Sequence, residues 1–195
     1  GKPMLSFGKS IHTTLQKFGE QVLERSWKIQ QDLFGSKTAE YTENERSLPS
    51  REELLSFFEA SWIDEWYPSR NIHDEYREKG KKALGLFYDD FSVKKPTVKA
   101  IERDFTIKIA ARNGLIPIKG RIDRLVQHPE GGVEIVDYKT GRSKIAEKIA
   151  FADKEQLLLY QIAAEDIGET VSQLTYHYLE DGSRVSFLGS AQEKD

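Results

Sequence analysis

Apolar residues recur at three- and four-residue steps along the first ninety residues, a spacing that predicts amphipathic helices. The first helix is predicted over residues 7–34 and a third over 71–91. Between them, a polar linker precedes Ser50 and Glu53, which form a capping-box pair. That pair predicts the start of a second helix, which the apolar pattern continues to about Trp66.

After Pro96 the apolar residues alternate with polar ones, and this period of two predicts strands. Three strand patterns follow one another: "TVKAIERDFTIKIA", "LIPIKGRIDRLVQH" and, after the turn sequence "HPEGG", "VEIVDYKT". Helical spacing returns over residues 151–168, and Asp181-Gly182 is a two-residue turn signal between two final strands. The order of helices, three strands, helix and strands predicts an α/β core with an N-terminal helical insertion.

Composition describes one globular domain of ordinary size, or a core with a helical appendage. The 195 residues are 38% hydrophobic and 31% charged, and no run approaches the roughly 18 apolar residues of a membrane span. With no signal-peptide pattern either, a cytoplasmic location is expected, nucleoid-associated if the organism is prokaryotic. The chain enters a helix pattern at once and stops just after a strand pattern, so we expect a piece of a longer polypeptide.

Charge and cysteine content narrow the chemistry. The net charge of −3 argues against nucleic-acid binding by bulk charge, so any phosphate-binding surface must be local. A solvated basic face remains the alternative interpretation of the candidate residues, which are Arg121, Arg124, Lys139, Arg142, Lys144 and Lys148. The absence of cysteine means that these residues form no disulfide, no thiolate zinc site and no iron–sulfur cluster.

Two acidic residues and a lysine are predicted to share one face of a hairpin. If the "HPEGG" turn is centred near Glu130, Asp123 lies opposite Asp137, and Lys139 points to the same face. Two carboxylates about 4.5–5.5 Å apart repel unless a positive group lies between them, and a divalent cation does this well. Simple surface ion pairs, Asp137 with Lys139 and Asp123 with Arg121 or Arg124, remain the alternative.

The motifs "GRIDRL", "IVDYKTG" and "KEQLLLYQIAA" resemble three consecutive motifs of RecB-type nuclease domains, a branch of the PD-(D/E)XK phosphodiesterase superfamily. The upstream "FGKSIHTTLQKF" is similar to that family's helical histidine motif, and "IERDF" to its acidic strand. The resemblance implies a central mixed β-sheet flanked by helices. It also implies a single nuclease domain over residues 1–195, with a core at about 7–35 and 93–189 and a variable helical insertion at about 36–92.

The resemblance also implies roles for individual residues. The metal ligands would be His12, Asp123, Asp137 and the backbone carbonyl of Tyr138, with Mg²⁺ or Mn²⁺ as the cofactor. Lys139 would be the catalytic lysine, and Asp123 and Asp137 would act with it. Gln156 and Tyr160 are assigned to substrate positioning, and Arg121, Arg124, Arg142 and Lys144 to DNA contacts. Glu102 is a possible further acid that could equally pair with Arg103 or with a lysine on an outer strand.

Three functions compete on this basis. The first is a metal-dependent exonuclease acting on single-stranded DNA or DNA ends in repair or recombination, with a helicase domain or subunit as partner, as in AddB-type and CRISPR-associated relatives. The second is a catalytically inactive scaffold that binds DNA or protein. The third is a hydrolase with a substrate other than nucleic acid. The complete set of His12, Asp123, Asp137 and Lys139 favours the first.

Overall fold

The structure of the chain is a computed structural model that describes residues 2–33, 48–111, 114–143 and 151–190. The chain divides into two compact units. A helical unit comprises residues 1–95 with the short segment Leu179–Gly182, and a sheet unit comprises residues 96–178 and 183–195. None of the described helices is long and apolar enough to cross a membrane.

The helical unit contains α1 (Lys2–Leu33), α2 (Arg51–Ser61) and α3 (Arg70–Lys94). Its core is formed by apolar side chains at helical spacing, among them Ile11, Phe18, Leu54, Phe58 and Phe87, all at most 2% exposed. The predicted capping box is confirmed, because the Ser50 hydroxyl accepts from the Glu53 amide and the Glu53 carboxylate accepts from the Ser50 amide.

The predicted end of α2 near Trp66 is wrong, because the helix ends at Ser61 and Trp62 is already extended. Tertiary contacts explain the early end. The indole of Trp62 stacks on Tyr67 with ring centroids 5.4 Å apart, and the amide of Ile63 donates to the Ser10 hydroxyl at 2.9 Å. These partners compensate for the helical hydrogen bonds that the chain gives up.

The sheet unit contains a mixed five-stranded sheet and one helix. The elements are β1 (Val98–Ala111), β2 (Gly114–Gln127), β3 (Val133–Lys139), α4 (Phe151–Asp166), β4 (Val171–Tyr178) and β5 (Arg184–Phe187). Spatial order follows chain order; β3 and β4 are parallel, while the other neighbours are antiparallel. The α4 crossover makes the parallel pair possible. The predicted α/β class with a mixed sheet and flanking helices is confirmed.

Of two predicted turns, one is present as predicted and the other is longer than predicted. The "HPEGG" turn is confirmed between β2 and β3, with both Gly131 and Gly132 at positive φ. The predicted two-residue turn at Asp181-Gly182 is wrong in length, because five residues separate Tyr178 from Arg184. Leu179 is 2% exposed, so burial of this side chain accompanies the longer connection.

Candidate metal centre

Three acidic residues occupy corresponding positions on three neighbouring strands. The β1–β2 pairs on either side of Glu102 place it opposite Asp123, and carboxylate oxygens of these two residues lie within 4.8 Å of one another. The last β2–β3 pair joins Arg124 to Val136, and the same register continued by one residue brings Asp123 and Asp137 to corresponding positions. We call Glu102, Asp123 and Asp137 the acid row.

The register of the β2–β3 hairpin is the one that the sequence predicts. Each β2–β3 pair, from Gln127 with Val133 to Arg124 with Val136, is centred on Glu130. A shift by one residue would move the side chain of Asp137 to the opposite face of the sheet. The turn therefore decides whether the acid row exists.

Glu102 has a backbone conformation that few residues adopt. Its φ of 49° is left-handed, which is uncommon outside glycine and re-aims a side chain relative to a regular strand. The carboxylate lies 3.6 Å from the guanidinium of Arg121. The predicted alternative, an ion pair with Arg103, is not formed, because Arg103 pairs with Glu169 at 3.5 Å.

Asp137 and Lys139 extend from the middle strand of the sheet towards α4. Asp137 is 3% exposed, and its Oδ2 lies 2.6 Å from the Nζ of Lys139. Gln156 of α4 connects them, since its Oε1 accepts from Lys139 at 2.8 Å and its Nε2 donates to Asp137 Oδ1 at 2.9 Å. The same amide donates to the Tyr160 hydroxyl at 2.6 Å. The predicted helix face with Gln156 and Tyr160 therefore meets the predicted strand face.

Tyr176 completes the surroundings of the lysine, although no motif in the sequence points to this residue. The ring of this residue, 2% exposed, lies 4.8 Å from the Nζ of Lys139, within range of a cation–π interaction. The parallel register pairs Tyr176 with Asp137. Sequence patterns carry no signal for the register of a parallel pair that is separated by a helix, so this contact follows only from the tertiary structure.

The backbone of Tyr138 is directed at the acid row. Its amide donates to Asp123 Oδ2 at 2.8 Å, just beyond the last β2–β3 pair. Because the amide and carbonyl of one strand residue point to the same neighbouring strand, the carbonyl of Tyr138 also points towards β2. A carbonyl oxygen is therefore available beside two carboxylates.

The acid row creates a region of negative potential in partly desolvated surroundings. Burial raises the pKa of the Tyr160 hydroxyl to about 12, and the carboxylates of Asp137, Asp123 and Glu102 act in the same direction. Burial likewise raises the pKa of Tyr138 to about 12. The carboxylates of Glu102 and Asp123, with oxygens within 4.8 Å of one another, and the carbonyl of Tyr138 are oxygen donors of the kind that Mg²⁺ and Mn²⁺ prefer. The residues present therefore fit a divalent cation.

The other candidate residues have varied settings. His12 lies on α1 of the helical unit, half-buried and next to the fully buried Ile11. Arg124 is 2% exposed, with its guanidinium 5.4 Å from the centre of the Tyr138 ring, so it is not placed to contact DNA. Arg121 is exposed but pairs with Asp104 at 2.6 Å. Arg142 is exposed, and Lys144 lies outside the described residues.

Comparison with known proteins identifies the family. A model described as "PD-(D/E)XK nuclease superfamily" matches residues 2–194. The chain belongs to this superfamily. Nucleases of the superfamily generally use divalent metal ions, which agrees with the donor set of the acid row, and membership implies metal-dependent hydrolysis of phosphodiester bonds in DNA.

Further comparisons add little. No curated protein matches the chain. A solved structure described as "Crystal structure of SSO0001" is similar with 16% identity and a TM-score of 0.37, over 84% of this chain and 75% of that one. A likeness at this level supports no argument about function.

Proposed function

We propose that the chain is a RecB-type deoxyribonuclease, an exonuclease that acts on single-stranded DNA or on DNA ends in repair or recombination. The observation that carries the proposal is the acid row beside the Lys139–Gln156 hydrogen bond, all within one sheet unit. The order of the RecB-like motifs supports the subfamily. A helicase domain or subunit of the parent protein would supply the DNA affinity that an acidic chain lacks, and the expected location is the cytoplasm.

Within the sheet unit, the residues proposed to hold Mg²⁺ or Mn²⁺ are Glu102, Asp123, Asp137 and the carbonyl of Tyr138. His12 is a further proposed ligand on the strength of its motif, and an imidazole favours Mn²⁺ over Mg²⁺. The bound cation would neutralise phosphate charge and lower the pKa of a water molecule. Glu102 therefore becomes a proposed direct ligand, where the motif resemblance implied only a possible further acid.

Lys139 is proposed to act as a point cation towards the phosphate or the attacking water. Its ammonium is already fixed on three sides, by Asp137, Gln156 and the Tyr176 ring. Such fixed placement reduces the reorganisation needed when charge develops in the transition state. Gln156 is therefore proposed to orient Lys139 and Asp137, in addition to any contact with substrate.

The test is cleavage of end-labelled single-stranded DNA, double-stranded DNA and RNA with Mn²⁺, Mg²⁺ or EDTA. Metal-dependent cleavage of DNA is expected, with a loss of about 10²–10³-fold in Asp137→Asn and in Lys139→Ala. Asp166→Asn is the matched control, because Asp166 is an exposed acid at the end of α4, outside the acid row. Circular single strands should resist an exonuclease, and their cleavage would instead show endonuclease activity.

Calorimetry with Mn²⁺ separates the remaining functions. Weaker binding in Asp137→Asn and His12→Ala, with unchanged binding in Asp166→Asn, would support the ligand set. Binding of cation without cleavage of any nucleic acid would favour a hydrolase with another substrate. No cation binding and no cleavage in the wild type would contradict the proposal and favour the inactive scaffold.

A further inference from the structure

A two-stranded ribbon continues from the acid row. Residues 104–110 of β1 pair with residues 115–121 of β2 in unbroken antiparallel register, and we call these segments the β1–β2 ribbon. The next strand, β3, pairs with β2 only from Arg124 to Gln127. Within the described residues, the two strands of the ribbon therefore form backbone hydrogen bonds only with each other. The ribbon extends past the end of β3.

The two faces of the ribbon differ in composition. One face is apolar and partly covered: Phe105, Ile107 and Ile109 lie opposite Gly120, Ile118 and Ile116. Phe105 anchors this face, since its ring meets the Tyr160 ring at 5.3 Å and covers Gly120. The other face is exposed at every position and consists of Asp104, Thr106, Lys108, Ala110, Leu115, Pro117, Lys119 and Arg121.

The exposed face carries cations without protein partners. Lys108 and Lys119 are exposed, and neither forms a hydrogen bond or ion pair with any residue that the structure describes. Thr106 is opposite Lys119 and Pro117 is opposite Lys108, so the two lysines are diagonal neighbours with backbones about 7–8 Å apart. Two cations on neighbouring positions of one exposed face can contact the same anionic ligand.

The exposed face is continuous with the acid row. Arg121 is two residues from Asp123 on β2, and its guanidinium reaches Glu102 at 3.6 Å. Lys119 is four residues from Asp123, or about 13 Å along an extended strand. A nucleic-acid strand with one phosphate at the acid row would reach both lysines within a few nucleotides. In a chain of net charge −3, such a local basic surface is where a polyanion is attracted.

We propose that the exposed face of the β1–β2 ribbon binds the sugar-phosphate backbone of single-stranded DNA on one side of the scissile bond, through Lys108 and Lys119. The inference rests on the proposed function, because it places the cleaved phosphate at the acid row. It assigns DNA contacts to two residues that no motif identifies.

The experiment is fluorescence anisotropy with a long single-stranded oligonucleotide, with EDTA present so that cleavage cannot occur. Lys108→Glu/Lys119→Glu should weaken binding about tenfold or more at low salt. The slope of log K against log salt should become shallower by about 1.4, because each lost phosphate contact to a single strand removes about 0.7. The milder Lys108→Gln/Lys119→Gln variant should lose part of the affinity, and thermal unfolding confirms that each variant is folded.

Lys17→Glu/Lys82→Glu, on the helical unit, is the matched control for the change in net charge. It should bind like the wild type. Equal weakening in the control would overturn the proposal, since the effect would then be one of bulk charge. Unchanged binding in the ribbon variants would also overturn it, and would leave an acidic protein surface as the partner class.

Failure of the proposed function would look different. A trinucleotide is too short to reach both lysines, so its Mn²⁺-dependent cleavage should be the same in wild type and ribbon variants. If the wild type cleaves nothing, yet binding still depends on Lys108 and Lys119, the nuclease function fails and the ribbon contact stands. If the wild type binds no DNA at all, the ribbon contact is overturned.

Discussion

At the scale of single residues, the surroundings of Asp137 and Lys139 give this pair a significance that its sequence spacing lacks. An exposed ion pair two residues apart on a strand contributes little to stability. Here the aspartate is 3% exposed, and a third residue, Gln156, bonds to both partners. Removal of one partner would leave the other as an unpaired buried charge, which is strongly destabilising. The three side chains therefore depend on one another.

Gln156→Ala should therefore lower kcat by roughly 10–100-fold, because Lys139 loses the group that orients it. The effect on KM should be smaller. The measurement is steady-state cleavage of a short single strand with Mn²⁺. Gln161→Ala is the matched control: Gln161 is a buried glutamine of the same helix, and it bonds to the backbone of Gly189 at 2.9 and 3.3 Å, away from the acid row.

The control should lose about 1–3 kcal/mol of unfolding free energy, the cost of leaving buried backbone groups unsatisfied, while keeping its kcat at a permissive temperature. A Gln156→Ala enzyme with wild-type kcat and a raised KM would show that Gln156 only binds substrate. That result would contradict the orienting role.

At the scale of elements, the start of α2 follows from local sequence and its end from tertiary contacts. Ser50→Ala should remove the side-chain acceptor for the Glu53 amide and cost about 1 kcal/mol of unfolding free energy. Urea denaturation with helix content as the signal measures this. Ser56→Ala is the control, because the exposed Ser56 hydroxyl donates to the Glu53 carbonyl of its own helix and to no other residue that the structure describes. Equal losses in the two variants would show that the cap contributes nothing.

The ribbon depends on a glycine at one position. A Cβ at Gly120 would overlap the Phe105 ring, so Gly120→Ala should force that ring away from Tyr160 and cost about 1–3 kcal/mol. A Cβ at Gly141 meets nothing within 4 Å, so Gly141→Ala should be close to neutral. Thermal unfolding of both variants tests this, and a neutral Gly120→Ala would mean that the ribbon repacks freely.

At the scale of the whole molecule, each unit has its own core and its own buried titratable groups. In the helical unit, burial raises the pKa of Tyr67 to about 12, with the neighbouring Tyr76 and Asp64 adding to the effect. An unfolded tyrosine titrates near 10. The folded state therefore holds the proton more tightly, and this contribution to stability is complete below pH 10 and lost as pH rises towards 12.

Tyr67→Phe should make the chain less sensitive to alkali. At neutral pH the variant should be as stable as the wild type or slightly more so, because the buried Tyr67 hydroxyl has no hydrogen-bond partner among the described residues. Between pH 10 and 12 its unfolding free energy should fall less steeply. Urea midpoints across this pH range provide the measurement, and parallel curves for the two proteins would contradict the assignment.

The sequence by itself determined the order of the elements, the capping box, the hairpin register and the alignment of Asp123 with Asp137. These features depend on hydrophobic period and turn chemistry, which act between residues close in the chain. The i, i+4 placement of Gln156 and Tyr160 on one helix face is of the same kind.

Only the tertiary structure decided the early end of α2, the left-handed backbone of Glu102, the Tyr176 ring beside Lys139 and the burial of Arg124. Each depends on partners distant in sequence, such as Ser10 for Ile63 or the β4 register for Tyr176. Secondary-structure propensity and the hydrophobic period describe which face of one segment is buried. They do not specify which other segment packs against that face.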